Sequence, residues 1–240
     1  RERGDMRLPK LAEMMIKLDG KNADPTDLAN YKGVIPNPGA TGDNNNTDME
    51  DGSQSRLKSK WYLEPVGPSA MNIGYPEQEF ILAEAALRGW TEDDPETHYL
   101  NGIRAAHEFL GVSSADTRAY LGHEKVQFKG SDTEKLGKII TEKYLNFFMQ
   151  GGNEAYFELR RTGYPDFSAY LTHNTDQIYN DGYLPLRYRY PQSEIDNNNA
   201  QVSEAIKRLD KGDDRNSRMW LLQGSDPLFN PAPFPFRYKN

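Results

Sequence analysis

A chain of 240 residues can bury a substantial core, in one large domain or two small ones. Its 36 acidic residues against 29 basic ones leave a net charge of -7, and no stripe of Lys and Arg runs along it, which argues against a nucleic-acid partner. Cysteine is absent, which removes disulfides, thiolate metal sites and a cysteine nucleophile together, and no apolar run approaches the ~20 residues of a bilayer span. With 14 Tyr and 3 Trp, aromatics reach 11%, unlike the aromatic-poor composition of a disordered chain. The chain opens on Arg1 in a charged stretch rather than on Met, so its natural N-terminus is expected to lie elsewhere.

Residues 1–75 read as a loop-rich segment and a candidate ligand platform. Leu8, Leu11, Met14, Met15 and Leu18 have helical spacing. From Gly20 to Gly52 the turn residues Asn, Asp, Gly, Pro and Thr dominate. Lys58 to Val66 then reads as a short strand or extended segment carrying Trp61 and Tyr62.

Helical hairpins are expected over residues 76–165. Pro76 suits a first helical turn, where its missing N–H had no partner, and Phe80, Ala83, Glu84 and Leu87 share a face before Gly89. Pro95 opens a second helix, with Tyr99, Ile103, Ala106 and Leu110 on one face and Gly111 as its stop. A short helix follows over Ser114 to Leu121. Ser131 and Glu134 then form an S-x-x-E capping box, ahead of an apolar face of Leu136, Ile139, Ile140, Phe147 and Phe148. Asn153 caps a further helix that closes at Gly163. The last region, 166–240, is mixed and irregular: a strand over Tyr183 to Tyr190, a helix over Asn199 to Leu209, and a Pro-rich tail. The expected fold is mainly α, with tetratricopeptide-like hairpins, long irregular loops and a few short strands.

Catalytic signals are missing. No G-x-S-x-G elbow, P-loop or dinucleotide fingerprint occurs, and the four histidines lack zinc-ligand spacing. Glu84 sits on an apolar helix face. It reads either as a general acid or, more simply, as one half of an ion pair with Arg160 or Arg161 that braces two helices. The acidic run from Asp43 to Gly52 fails as an EF-hand, since its sixth and twelfth positions hold Asp48 and Gln54, although an irregular calcium loop stays open. Among aromatics, Trp61 is the first candidate to stack on a ligand ring, with Tyr62 and Tyr31 behind it. Neighbours in a strand point opposite ways, so one of the Trp61–Tyr62 pair is expected to face the core.

Several ordered motifs carry a resemblance. FILAEAALRG with a second helix, EKLGKIITEKYLNFFMQGGNEAYFELRRTGYPDF, and LPLRYRYPQSEIDNNNAQ resemble the SusD/RagB family, as do GDMRLPKL, NYKGVIPNPG and MWLL. The resemblance is closest to the branch called SusD-like type 2. It implies an outer-membrane, cell-surface lipoprotein without catalytic activity, built on tetratricopeptide helix pairs. Such a protein captures oligosaccharides for a TonB-dependent, SusC-type transporter. It also implies that this sequence is the C-terminal portion, with the lipid-bearing cysteine and further helix pairs upstream. The motif residues Glu84, Arg160, Arg161, Arg187 and Glu194 then read as structural braces, Arg187 with Glu194. Two other readings stay open: a helical module that contacts only the transporter, and a nutrient binder for peptides.

Overall fold

The computed structural model describes residues 1–18, 20, 22–33, 52–67, 71, 73–166 and 185–217. The chain divides into two compact units, one drawn from residues 1–38 and 43–155 and the other mainly from residues 156–240.

The first unit is built on helices. After the four-residue α1 (Leu8–Leu11) come α2 (Tyr75–Leu87), α3 (Pro95–Phe109), α4 (Ser114–Gly122) and α5 (Asp132–Asn146). α2 packs antiparallel to α3 as the expected hairpin, and α5 lies against both. The core is the set of apolar faces legible in the sequence: Phe80 and Ala83 from α2, Tyr99, Ile103 and Ala106 from α3, Leu136, Ile139 and Ile140 from α5. Local chemistry starts and stops each helix. Asp94 accepts the Thr97 N–H at 3.0 Å at the head of α3. Ser131 and Glu134 close the capping box of α5, with the Glu134 carboxylate accepting the Ser131 N–H at 2.7 Å. Gly89 and Gly111 end α2 and α3 with φ of 69° each, the left-handed turn that glycine adopts without steric cost.

Gly102, midway along α3, has a different reason to be glycine: a Cβ there would sit 2.6 Å from the Phe80 ring. Gly102→Ala is therefore expected to destabilise the unit by about 1–3 kcal/mol, despite alanine's better helix propensity. Denaturant unfolding reads this directly, and an unchanged or raised midpoint would show that the hairpin can open by a few tenths of an ångström at no cost.

Three expected elements differ. The Leu8–Leu18 helix stops at Leu11, because Ala12 turns extended and forms an antiparallel bridge with Leu57. Lys58 to Val66 is not a strand: after the Lys58 N–H reaches Leu11 O at 3.0 Å, the chain curls into a 3-10 turn over Ser59–Trp61. In the second unit, Pro185 to Tyr190 forms no strand: the chain bends at Leu186 and Arg187, whose N–H groups both turn onto Arg215 O, at 2.8 and 3.2 Å, while Tyr183 and Leu184 lie outside the described residues. That single carbonyl clasps the segment that would otherwise have offered a strand edge.

The second unit contains α6 (Glu154–Thr162, which begins at its border), α7 (Gln192–Asn197) and α8 (Asn199–Ile206). Tyr156 donates its hydroxyl to Pro185 O at 2.5 Å, and Arg160 donates to Leu186 O at 2.7 Å. Arg187 pairs with Asp213 at 2.6 Å rather than with Glu194, which sits in the first turn of α7. Burial pushes Asp213 up, but the bonds from Arg187 and from the Tyr190 N–H outweigh it and hold the carboxyl below its usual range. The tail from Gln223 and the MWLL segment from Met219 lie outside the described residues, as does the acidic run from Asp43 except Gly52.

Candidate functional site

The segment before α2 makes a groove because its backbone bonds are spent in tying separate stretches together. Glu13 N–H donates to Arg56 O at 2.7 Å, Ser55 N–H to Lys32 O at 2.8 Å, and Met15 N–H to Asn30 O at 2.9 Å. Buried Asn30 fixes the bend before Tyr31, its amide donating to Asn22 O and Asp24 O at 2.9 Å each. These stretches, α1 and the C-terminal end of α5 enclose a groove of about 770 Å³ within the first unit. That lies within the ~300–1,000 Å³ common for small-molecule sites.

One wall is aromatic and apolar, with Tyr144, Phe147, Phe148 and Met149. The lining also takes in Tyr31, Lys32, Arg56 and Arg1. Phe148 is 38% exposed, so part of its ring stays open although another ring packs against it. Met149 has a φ of 59°, an uncommon conformation for a bulky residue, and it is one of two non-glycine residues with positive φ among those described. It turns the chain out of α5 and so places the Phe148–Met149 edge on the groove.

Beneath the groove lies a buried ionic cluster that holds α1, α4 and α5 in register. Arg7 donates to Asp5 at 2.7 Å, to Glu142 at 2.8 Å and to the Tyr120 hydroxyl at 3.1 Å. Tyr120 donates onward to Glu142 at 2.6 Å, and Arg3 reaches the same carboxylate at 3.2 Å. Burial raises Asp5 and lowers Arg7, yet the neighbouring charges outweigh it: Arg7 holds the Asp5 carboxyl below its usual range, and Glu142 first, with Asp5 second, holds the Arg7 guanidinium above its own. His107 packs on the Tyr120 ring at 4.9 Å. Its Nδ1 lies 3.1 Å from the Thr117 hydroxyl, which itself donates to Ser113 O at 2.9 Å, so Nδ1 carries the proton. Burial first, and the Arg7 charge second, push His107 down to about 4.

The aromatic candidates fall in different places. Tyr31 lines the groove but is only 3% exposed, its hydroxyl donating to Pro25 O at 3.0 Å. Trp61 packs edge-on against Phe148, with centroids 5.9 Å apart, and its indole N–H is buried. It braces that ring from behind. Tyr62 is 60% exposed. Among the braces, Glu84 bonds Arg88 of its own helix at 2.8 Å, and Arg161 bonds Glu158 at 2.6 Å. Tying α2 to α3 is Glu79, whose carboxylate sits 2.7 Å from His98 Nδ1. Tyr144 and Phe148, which line the groove, are not singled out by the sequence, because helical spacing reads both as core. Glu142 was missed too, although it repeats the signal that singled out Glu84: a carboxylate three residues from Ile139 on an apolar face. No group of acidic or histidine residues suited to a metal occurs among the described residues.

The family SusD-like_2, described as starch-binding and associating with the outer membrane, matches residues 4–191. The chain belongs to this family. Members are non-catalytic binding proteins of the outer membrane. Among solved structures, a SusD homologue from Bacteroides fragilis is 33% identical with a TM-score of 0.81, over 92% of this chain and 50% of that one. An outer-membrane protein from Bacteroides vulgatus, described as involved in nutrient binding, is 30% identical over 92% and 49%, with a TM-score of 0.77. A chitin-binding protein is 25% identical over 93% and 48%, with a TM-score of 0.72. The SusD-like chain thus spans about half the length of these solved relatives. A comparison with the curated proteins finds no match. No described helix is long and apolar enough to cross a membrane.

Proposed function

We infer that this SusD-like chain takes part in capturing an oligosaccharide at the outer-membrane surface, without turnover, and that the groove between Tyr31 and Phe148 holds the sugar. The observation that carries this reading is the pairing of half-exposed rings, Tyr144 and Phe148, with hydrogen-bonding side chains across about 770 Å³. Sugar rings present C–H faces that pack on aromatic planes, while guanidinium, ammonium and amide groups take hydroxyls. The starch-binding description of the family and the chitin-binding relative support a glycan over a peptide. A SusC-type, TonB-dependent transporter is the partner this role requires, with a lipid anchor as the attachment. Tyr62, exposed beside the brace of Trp61, is proposed as an outer contact.

The test is electrophoresis through gels containing amylopectin or glycol chitin. The wild-type protein is expected to be retarded by one of them. Tyr144→Ala should weaken that retardation at least tenfold, a loss of ~1.4 kcal/mol, and Tyr62→Ala should weaken it less. No reducing ends should be released. Retardation that survives Tyr144→Ala and Phe148→Ala unchanged would place the ligand elsewhere, and released reducing ends would refute a purely binding role.

A further inference from the structure

We propose that the outer side of the α2–α3 hairpin is a second carbohydrate-contacting surface, which lets the protein hold a polysaccharide at two points. This rests on the glycan reading above. A groove of about 610 Å³ lies there, lined by Met71, Tyr75, Asn101, Arg104, Glu108 and Phe109. Tyr75 is 58% exposed, and Phe109 is half-exposed beside it. The same lining supplies an amide, a guanidinium and a carboxylate, with Arg104 donating to Asn101 at 3.2 Å. The Glu108 carboxylate is in no ion pair or hydrogen bond among the described residues. An exposed ring next to ready donors and acceptors on a rigid helix suits a sugar ring and its hydroxyls better than it suits an apolar partner, for which Arg104 and Glu108 would have to be desolvated.

Three observations separate this groove from an ordinary uncovered helix face. Ile73, between Met71 and Tyr75, has a φ of 47°, and with Met149 it completes the pair of described non-glycine residues with positive φ. A β-branched residue held there carries strain, and Met71 and Gly74 on either side of it line the groove. The two grooves are also neighbours. Phe148 of the first groove and Phe109 of the second line one small void between them, and the Met71 N–H donates to Gln150 Oε1 at 3.1 Å across the same gap. Beyond Glu108 and Arg104, which it shares, a third groove continues along α4 past Ser114 to Arg118. The succession suits a chain of linked sugars rather than one compact ligand.

A polymer held at two points binds more tightly than its fragments, because the second contact is intramolecular once the first has formed. The experiment uses the protein as it is, with Tyr75→Ala/Arg104→Ala as the variant and a circular-dichroism melt to confirm folding. Retardation by amylopectin or glycol chitin is expected to weaken about tenfold. Calorimetric affinity for the matching tetrasaccharide, maltotetraose or chitotetraose, should stay within twofold of wild type. Tyr144→Ala should weaken both. Polymer retardation equal to wild type in the double variant overturns the second surface while leaving the first groove standing. A wild-type protein that binds neither polymer nor tetrasaccharide overturns both together.

Discussion

Arg7→Met is expected to lower the stability of the first unit by about 3–5 kcal/mol. The side chain is buried, and its guanidinium is bonded to Asp5, Glu142 and Tyr120 at 2.7–3.1 Å. Methionine fills much of the same volume, so the loss is not chiefly a cavity. It comes from leaving two carboxylates in the interior without their counter-charge, and Arg3, at 3.2 Å and more exposed, cannot neutralise both. The pair as a whole contributes much less than its disruption costs, because desolvation offsets most of the attraction. Arg7→Met/Glu142→Leu should therefore recover a large part of the loss. Urea unfolding followed by tryptophan fluorescence measures both. Equal destabilisation by the single and double variants would mean that the cluster matters for its packing and not for its charge.

The second large effect is on pH. His107 is held neutral, pushed down from its ordinary 6.5 to about 4 by burial and by the facing Arg7 charge; Asp5 and Asp116 pull the other way and lose. The unfolded chain binds a proton near pH 6.5 that the folded chain refuses until about pH 4. Stability from this source is therefore intact above pH 6.5 and falls as pH drops through that window, by ~3 kcal/mol in all. Below it, protonation of Asp5, whose carboxyl is held below its usual range, continues the decline. His107→Asn keeps a donor toward Thr117 and cannot titrate. It should lower stability at neutral pH yet flatten the slope between pH 6.5 and 4. A variant with the wild-type slope would assign the acid sensitivity to other groups.

The helices were legible because each is specified locally. The Ser131–Glu134 box, Pro76 and Pro95 at helix starts, and Gly89 and Gly111 at stops fix boundaries within a few neighbouring residues, and the apolar spacing of α2, α3 and α5 fixes which face is buried. The failures share a cause: partners distant in sequence. Ala12 leaves its helix for Leu57, Lys58 curls because its N–H meets Leu11, and Leu186 and Arg187 forgo a ladder for Arg215. Pairing was equally out of reach. Arg187 chose Asp213 over the nearer Glu194, and Glu142 found Arg7 across 135 residues. As for the groove, Tyr31 lines it with only 3% of its surface exposed, whereas Trp61 supports Phe148. Whether a ring at core spacing ends up half-exposed depends on where the helix stops, and α5 stops just before Phe147.

The central claim, an oligosaccharide held between Tyr31 and Phe148, is tested most directly by a crystal structure grown with the tetrasaccharide that matches the retarding polymer. The account predicts sugar density in this groove, with a ring face against Tyr144 or Phe148 and hydroxyls within hydrogen-bond distance of Lys32 or Arg56. Well-ordered sugar bound only at other residues, with the groove left to solvent, would contradict it.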